Sequence, residues 1–177
     1  MASKSYSFLD IVVLDEVRER FAAGDALAVL SASLDEILWA NGAGAAWLGF
    51  PDIEAAIGER SRLPATALRQ ISATPGFPNI GRDRAIALRV TSGLKSRIVS
   101  VQASAIALPG GEEALLLALP LSSSDEGPAH RAVAGFSEPG HFAAFVEADG
   151  TVSAASTGFD QLGIEPETLL RLVQDVG

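Results

Sequence analysis

A glycine-containing turn after an apolar run is the first place where the sequence could do chemistry. Asn41, Gly42 and Gly44 directly follow a run that ends at Ala40. A strand, a glycine loop and a helix start in this order hold the pyrophosphate of dinucleotides. That fingerprint needs a third glycine where this chain has Trp47, a side chain too large for close packing of helix on strand. The stretch therefore predicts a turn into a short helix capped by Asn41, not a phosphate loop.

Two tryptophans flank this turn and form a second candidate site. Trp39, Asn41 and Trp47 are close enough in sequence to line a small-molecule pocket in which Asn41 is the polar group. The alternative is that both tryptophans pack in the core while Asn41 only caps the following helix. The sequence leaves both interpretations open.

The remaining side chains that could ligate or react are few. His130 and His141 lie outside the domain outlined below, which leaves that domain without a histidine to ligate haem. The sequence has no cysteine, so disulfides, thiolate zinc sites and cysteine nucleophiles are excluded. Adjacent acids at 35–36 and 112–113 fall at hairpin ends, and no hydrolase, zinc-protease or phosphate-loop motif occurs. We therefore expect no intrinsic enzymatic activity, no cofactor and no metal.

The overall charge narrows the classes of partner. The 177 residues carry a net charge of −9, whereas a nucleic-acid surface needs clustered positive charge, so no nucleic-acid partner is expected. No apolar run approaches the roughly 20 residues that cross a bilayer, and the N-terminus lacks the pattern of a secretory signal. These features predict a cytoplasmic protein with no membrane partner.

The middle of the chain has the opposite charge. This basic stretch contains a single acid, Asp83, against eight cations. It is either a solvated sheet face or a docking surface for an acidic partner or for the acidic terminal parts of the same chain. The eight cations are Arg60, Arg62, Arg69, Arg82, Arg84, Arg89, Lys95 and Arg97.

Hydrophobic periodicity outlines the elements that position these groups. Apolar residues at helical spacing from Asp10 to Ala22 predict an amphipathic helix within an N-terminal segment, residues 1–24. Five β-type runs follow, with short helical pieces between the second and the third. They predict an α+β domain over residues 25–121, in which a five-stranded antiparallel sheet has short helices inserted between strands 2 and 3. The β-type runs cover residues 26–32, 36–40, 84–91, 95–108 and 114–121, and the helical pieces cover 42–50, 51–59 and 63–72.

A change of composition at residue 122 indicates a domain boundary. Residues 122–140 are rich in Ser, Gly, Pro and charge, which predicts a linker. The early pattern then recurs over 141–177, where residues 162–164 take the place of 48–50. This second copy stops before the three strands that would complete its sheet, so we expect a truncated second domain in an N-terminal fragment of a longer protein.

The last β-type run of the first domain is apolar on both faces and needs cover on both sides. The inserted helices can cover one face, and the N-terminal helix, folded back, or a second subunit must cover the other. We hypothesise a homodimer whose interface is formed by the N-terminal helix and the outer face of the sheet. Its candidate residues are Val13, Leu14, Val17, Phe21, Leu115, Leu117 and Leu119.

The order of these elements resembles the PAS family. Asn41, the small residues after it and the triplet at 48–50 resemble the family's passage from its second strand into its first helices. The resemblance covers residues 25–121 completely and 141–177 as a partial second copy. It implies a five-stranded antiparallel sheet, and a space between sheet and helices that holds haem, flavin, a small metabolite or nothing.

The amino-acid sequence of residues 9–58 also resembles the amino-terminal region of the PleC/DivJ-homologue sensor histidine kinases. These are PAS-containing cytoplasmic kinases of bacterial cell-cycle control. This resemblance implies a sensory and dimerisation module upstream of a dimeric kinase core that acts on a response regulator. The module itself would be non-catalytic, with a response regulator or a scaffold protein as partner. The alternative is a small-metabolite receptor whose ligand shifts the dimer arrangement.

Overall fold

The first domain is built on a five-stranded antiparallel sheet. The structure is a computed structural model that describes residues 6–92, 95–120, 127–133, 136 and 140–176. The sheet order is β2-β1-β5-β4-β3, and helices α3 and α4 connect β2 to β3, so the predicted α+β architecture is confirmed. The elements are β1 Ala26–Ser31, β2 Ile37–Ala40, α3 Gly42–Trp47, α4 Ala65–Ser72, β3 Arg84–Ser92, β4 Lys95–Ala107 and β5 Glu113–Leu119.

Strand β1 lies at the centre of two apolar layers. It pairs with β2 on one side and, over its own whole length, with β5 on the other. Ala28 and Leu30 face an inner cluster beneath α3 and α4, whereas Leu27 and Val29 face an outer cluster. All four side chains are fully buried, as expected for a strand covered on both faces. The inner cluster also contains Ile37, Ala45, Leu48, Phe50, Ile71, Leu88, Leu115 and Leu117, and the outer cluster also contains Tyr6, Phe8, Ile11, Val17, Phe21, Trp39, Leu116 and Phe136.

The N-terminal segment forms two short helices instead of the single predicted one, and its first five residues lie outside the described part. Helix α1 is Phe8–Val12 and helix α2 is Asp15–Ala22. Ser7 begins α1 in a reciprocal capping box with Asp10, a sequence signal that places the helix start earlier than predicted. Leu14 is extended between the helices, and this break leaves Val13 60% exposed.

Two other predicted intervals differ from the structure. Residues 51–59 form turns rather than a helix, closed by bonds such as Ala56 N–H to Ile53 O at 3.0 Å. The interval 122–140, predicted as a linker, contains helix α5, Pro128–Val133, in its described part. Ala132 and Phe136 are buried in the outer cluster, so apolar packing holds this interval against the domain. The predicted strand end at residue 121 and the linker residues 122–126, 134–135 and 137–139 lie outside the described part of the chain.

The last part of the chain, in which a recurrence of the early pattern is predicted, contains two strands and two helical segments. A two-stranded antiparallel hairpin is followed by a short 3₁₀ helix and then by α6. The bounds are β6 Ala144–Val146, β7 Val152–Ala155, the 3₁₀ helix Phe159–Leu162 and α6 Pro166–Val176. We refer to residues 141–176 as the second unit.

Both outer edges of the five-stranded sheet are partly occupied by their own chain. At β2, the Ile37 N–H donates to Glu59 O at 2.9 Å and the Gly58 N–H donates to Ile37 O at 2.8 Å. At β3, the amide of Gln70 donates to Ala87 O and accepts from the Arg89 N–H, each at 3.2 Å. These bonds satisfy edge groups that would otherwise be open to another strand.

Candidate functional site

Asn41 stands directly after β2 and ties three elements together. Its backbone N–H donates to Leu27 O at 3.1 Å, and its Oδ1 accepts from the N–H groups of Leu27 at 2.9 Å and Gly44 at 2.8 Å. Its Nδ2 donates to Asp25 O at 2.8 Å. The side chain is fully buried, so each of these bonds satisfies a group that water cannot reach. Helix capping by Asn41 is therefore confirmed, with the start of β1 as a second point of attachment.

The glycine at position 44 permits this close junction. A Cβ added at Gly44 would lie 1.8 Å from Leu27 O, far inside van der Waals contact. Helix α3 thus packs directly on the backbone of β1, and any larger residue at 44 would push it away. The resemblance to a phosphate loop is accounted for by this packing requirement.

The two tryptophans of the predicted pocket lie on opposite sides of the sheet. Trp39 is fully buried in the outer cluster, where its Nε1 donates to Phe8 O at 3.2 Å. Trp47 is half-buried and packs against the inner cluster. Asn41 is saturated with backbone partners, so Trp39, Asn41 and Trp47 do not line one shared cavity.

The seven predicted interface residues are also divided between the two faces. Val17 and Phe21 are buried in the outer cluster of their own chain, because α2 folds back over the sheet. The leucines at 115 and 117 are buried in the inner cluster, and Leu119 is half-buried against it. Leu14 is half-buried and Val13 alone is largely exposed. The strand alternation was predicted correctly, but these leucines point towards the inserted helices instead of the N-terminal segment.

An aromatic cluster around Phe8 was not predicted from the sequence. The Phe8 ring lies 5.0 Å from the ring of Trp39, 4.6 Å from Phe136 and 5.9 Å from Phe21, measured between centroids. Phe21 in turn stacks on Phe145 of β6 at 6.1 Å. The N-terminal helices are therefore in contact with both the sheet and the second unit. The capping box at Ser7 is the sequence signal that places Phe8 at the start of a helix, from which its burial could have been predicted.

Polar contacts fasten the same segment around its rim. The Tyr6 hydroxyl donates to Glu112 at 2.6 Å, and this bond, with burial, raises the pKa of Tyr6 to about 12. The Arg82 guanidinium donates to the Glu16 carboxylate and lowers the pKa of Glu16. Because Arg82 belongs to the basic stretch, part of that stretch docks the acidic N-terminal helices of the same chain.

A second link between the basic stretch and α2 is centred on Arg20. Its guanidinium donates to Asp83 at 2.7 Å and reaches Asp25 at 3.4 Å. The hydrogen bond to Asp83 is the main reason that the pKa of Arg20 is raised. Asp83, Asp25 and Glu16 are each paired with an arginine, which stays charged at all ordinary pH values. These pairs therefore hold two parts of the chain together and are not suited to proton transfer.

The second unit contains an open groove of about 860 Å³ between β7 and the segment that leads into α6. Its apolar lining includes Val152, Phe159 and Leu169, and its polar lining includes Ser156 and Asp160. The volume lies within the range of small-molecule sites. The groove is formed by the part of the chain that repeats the first domain.

In the described ranges, no group of three or more His, Cys, Asp or Glu side chains is arranged to hold a metal ion. Within the same residues, no helix has both the length and the apolar character to span a bilayer.

No family model matches the sequence. The chain is 39% identical over 175 residues to the cell-division control histidine kinase PdhS of Brucella ovis, and equally to those of Brucella canis and Brucella melitensis. The match covers 99% of this chain and 16% of each relative. The resemblance to this group of sensor kinases that the sequence suggested is thus confirmed, and the chain spans about a sixth of the length of its relatives.

Proposed function

We propose that this chain is a non-catalytic sensory and dimerisation module of the PAS type, which controls phosphotransfer by a sensor histidine kinase to a response regulator in cell-cycle signalling. The observation that carries the proposal is the similarity to cell-division control histidine kinases over 99% of the chain. In this proposal the module acts through protein contacts, with a response regulator or a scaffold protein as its partner, and the kinase chemistry belongs to other regions of the parent protein.

The architecture supports a PAS-type module. The sheet order β2-β1-β5-β4-β3 with helices between β2 and β3 is the arrangement expected from the family resemblance. Asn41 holds the end of β2 to the start of β1 and caps α3, which gives its position a defined structural role. A rigid sheet with a helical segment on its outer face is suited to relaying a change of packing.

Dimerisation is assigned to the solvent side of the N-terminal helices. Leu9 is 50% exposed and Val13 is 60% exposed, and their spacing of four residues places them on one side of α1. The opposite side of the same segment carries Ile11 and Phe8 into the outer cluster. A dimer formed through Leu9 and Val13 would therefore bring its contacts within one helix diameter of the sheet.

Sedimentation equilibrium of residues 1–177 tests the dimer. We expect the wild-type chain to dimerise and the double variant Leu9→Glu, Val13→Glu to be monomeric with an unchanged circular dichroism spectrum. Ile98→Glu is the matched control, since Ile98 is 68% exposed on β4 and lies away from α1. A wild-type chain that stays monomeric at high concentration would exclude this mode of association.

The regulatory part is tested in the full-length kinase. We expect the same double variant to change the rate of autophosphorylation or of phosphotransfer to the response regulator, whereas Ile98→Glu leaves both unchanged. Equal rates for the double variant and the wild type would show that the module does not control the kinase through this surface.

A small-metabolite receptor is the second candidate function, and the groove of about 860 Å³ in the second unit favours it. Native mass spectrometry of the purified chain checks it. A retained small molecule that is lost in Leu169→Arg would support a receptor, and a ligand-free mass after gentle preparation from cells would count against it.

A further inference from the structure

A cleft of about 330 Å³, lined by Leu34, Leu68 and several polar side chains, lies between the β1–β2 turn and helix α4. It is separate from the second-unit groove and from the outer cluster. Its volume is at the lower end of the range for small-molecule sites. The polar side chains that line it are Ser33, Asp35, Arg60, Ser61, Arg69 and Ser72.

Two cations of the basic stretch are brought together in this cleft. Elsewhere in the stretch, Arg82 is paired with Glu16, and Arg62 lies 3.8 Å from the centre of the Phe50 ring. Arg60 and Arg69, in contrast, make no ion pair with any described residue. Arg60 also acts through its charge on the Asp35 carboxylate of the same lining, so a bound anion would share Arg60 with that carboxylate.

The hydrogen-bond capacity of the lining is only partly used inside the chain. The Nε of Arg69 donates to Ala65 O at 3.2 Å, which leaves its two terminal nitrogens. The Ser61 hydroxyl oxygen accepts from the Leu63 N–H at 3.3 Å, so its proton is free to be donated. The lining of the cleft therefore includes two guanidinium groups and a hydroxyl group with N–H and O–H donors to offer.

Asp35 is the opposing charge in the lining. Its carboxylate accepts from the hydroxyls of Ser33 at 2.5 Å and Ser31 at 2.7 Å. These bonds, that of Ser33 first, lower the pKa of Asp35, so the group is ionised at neutral pH. An anion in the cleft would be attracted by the two arginines and repelled by this carboxylate.

We propose that the cleft is a binding site for a small tetrahedral oxyanion of the phosphate class, held between Arg60 and Arg69 with the Ser61 hydroxyl as a further donor. Guanidinium groups match such oxyanions through paired N–H donors. The proposal is independent of the kinase-module function, because it uses none of the residues of the outer cluster or of the N-terminal helices.

Titration of residues 1–177 with sodium phosphate, followed by amide NMR shifts and calorimetry at constant ionic strength set with sodium chloride, tests the site. We expect saturable shifts in residues 60–72, and at least about tenfold weaker binding in Arg60→Ala and in Arg69→Ala, the factor that corresponds to losing a charged hydrogen bond. Sodium sulfate should compete, since it shares the tetrahedral geometry.

Two further variants keep the test specific. Arg84→Ala removes the same charge from an exposed position outside the cleft and should leave phosphate affinity unchanged. Asp35→Asn should tighten binding, because it removes the repelling carboxylate. Equal weakening by Arg84→Ala and Arg60→Ala, or shifts that do not saturate, would reduce the effect to general charge attraction and overturn the proposal.

Discussion

The β1–β2 hairpin and the β6–β7 hairpin share one local device. Asn41 follows β2 and exchanges two bonds with Leu27, from its own N–H to Leu27 O and from the Leu27 N–H to its Oδ1. Ser156 follows β7 and exchanges the same two bonds with Ala143, at 2.8 Å through its N–H and 3.0 Å through its Oγ. The repeat in sequence is therefore also a repeat in hydrogen bonding.

The surroundings of the two hairpins differ. Strand β1 has β5 as a second partner, and five of its six residues are buried. In the described residues, β6 pairs only with β7, and all three of its residues are half-buried. Both hairpins thus have the same side-chain hydrogen bond at the end of their second strand, whereas the burial of β1 depends on β5, a partner that is distant in sequence.

Exposed apolar side chains follow the same division. Most of the large exposed hydrophobic residues of the described chain lie in the second unit, although it is the smaller of the two. Within the described residues, the second unit has an apolar groove and a strand, β6, with a single partner strand, whereas both faces of the five-stranded sheet are covered. The exposed residues of this unit are Phe142, Val152, Leu162, Ile164 and Leu172.

Hydrogen exchange should show the largest difference between the hairpins. We expect the amides of β1 to exchange only through global unfolding, which costs about 5–15 kcal/mol in typical domains, and those of β6 through local opening of much lower cost. Exchange followed by NMR measures both strands in one sample. Similar protection in β1 and β6 would mean that the second unit is covered by contacts as strong as those of β5.

The side-chain hydrogen bonds of Asn41 and Ser156 provide the next test. Asn41→Ala leaves the N–H groups of Leu27 and Gly44 and the Asp25 carbonyl without their partner, so we expect a loss of at least about 3 kcal/mol in unfolding free energy, at about 1–3 kcal/mol per buried group. Ser156→Ala is the matched variant, and it removes one part-buried bond at a cost of about 1 kcal/mol. Urea denaturation measures both, and equal losses would contradict the comparison.

The stacked pair Phe21 and Phe145 joins the two regions. Phe21→Ala should destabilise the chain by about 3 kcal/mol, because the ring is buried in the outer cluster. Phe145→Ala, at a half-buried ring, should cost about 1 kcal/mol and act mainly on the exchange of β6. A Phe145→Ala effect as large as that of Phe21→Ala would show that the second unit supports the outer cluster.

The smallest effect is expected at the Arg82–Glu16 pair. The pKa of Glu16 is lowered in the folded chain, so its contribution to stability is present above its ordinary value of 4.5 and is lost as the pH falls through the lowered value. Glu16→Gln should therefore reduce stability slightly at pH 7 and make the acid limb below pH 4.5 less steep. Glu19→Gln on the same helix is the control, and thermal melts from pH 3 to 7 compare them.

Features set by neighbouring residues were predictable. The five strands and the cap at Asn41 follow from local periodicity and turn chemistry, and the structure agrees within a few residues. Each of these signals depends on residues that are close together in sequence. The candidate pocket failed as a shared cavity because Trp39 and Trp47, although eight positions apart, project to opposite sides of one sheet.

Features set by distant contacts were not predictable in the same way. The break at Leu14 turns Ile11 and Val17 together towards a sheet that periodicity alone does not locate. Helix α5 forms in a stretch with linker composition because Ala132 finds an apolar surface. Leu115 and Leu117 lie opposite Leu30 and Ala28 in the β1–β5 pairing and share the face that the inserted helices cover, and local alternation does not say which face that is.

The side-chain amide of Gln70 protects the β3 edge of the five-stranded sheet from pairing with a further strand. By filling one donor and one acceptor position beside β3 it acts as a stopper, and residues 58–59 do the same beside β2. Among the described strands, the edge of β6 has no such stopper. An additional strand can therefore pair at β6, whereas the filled positions beside β2 and β3 disfavour strand addition to the five-stranded sheet.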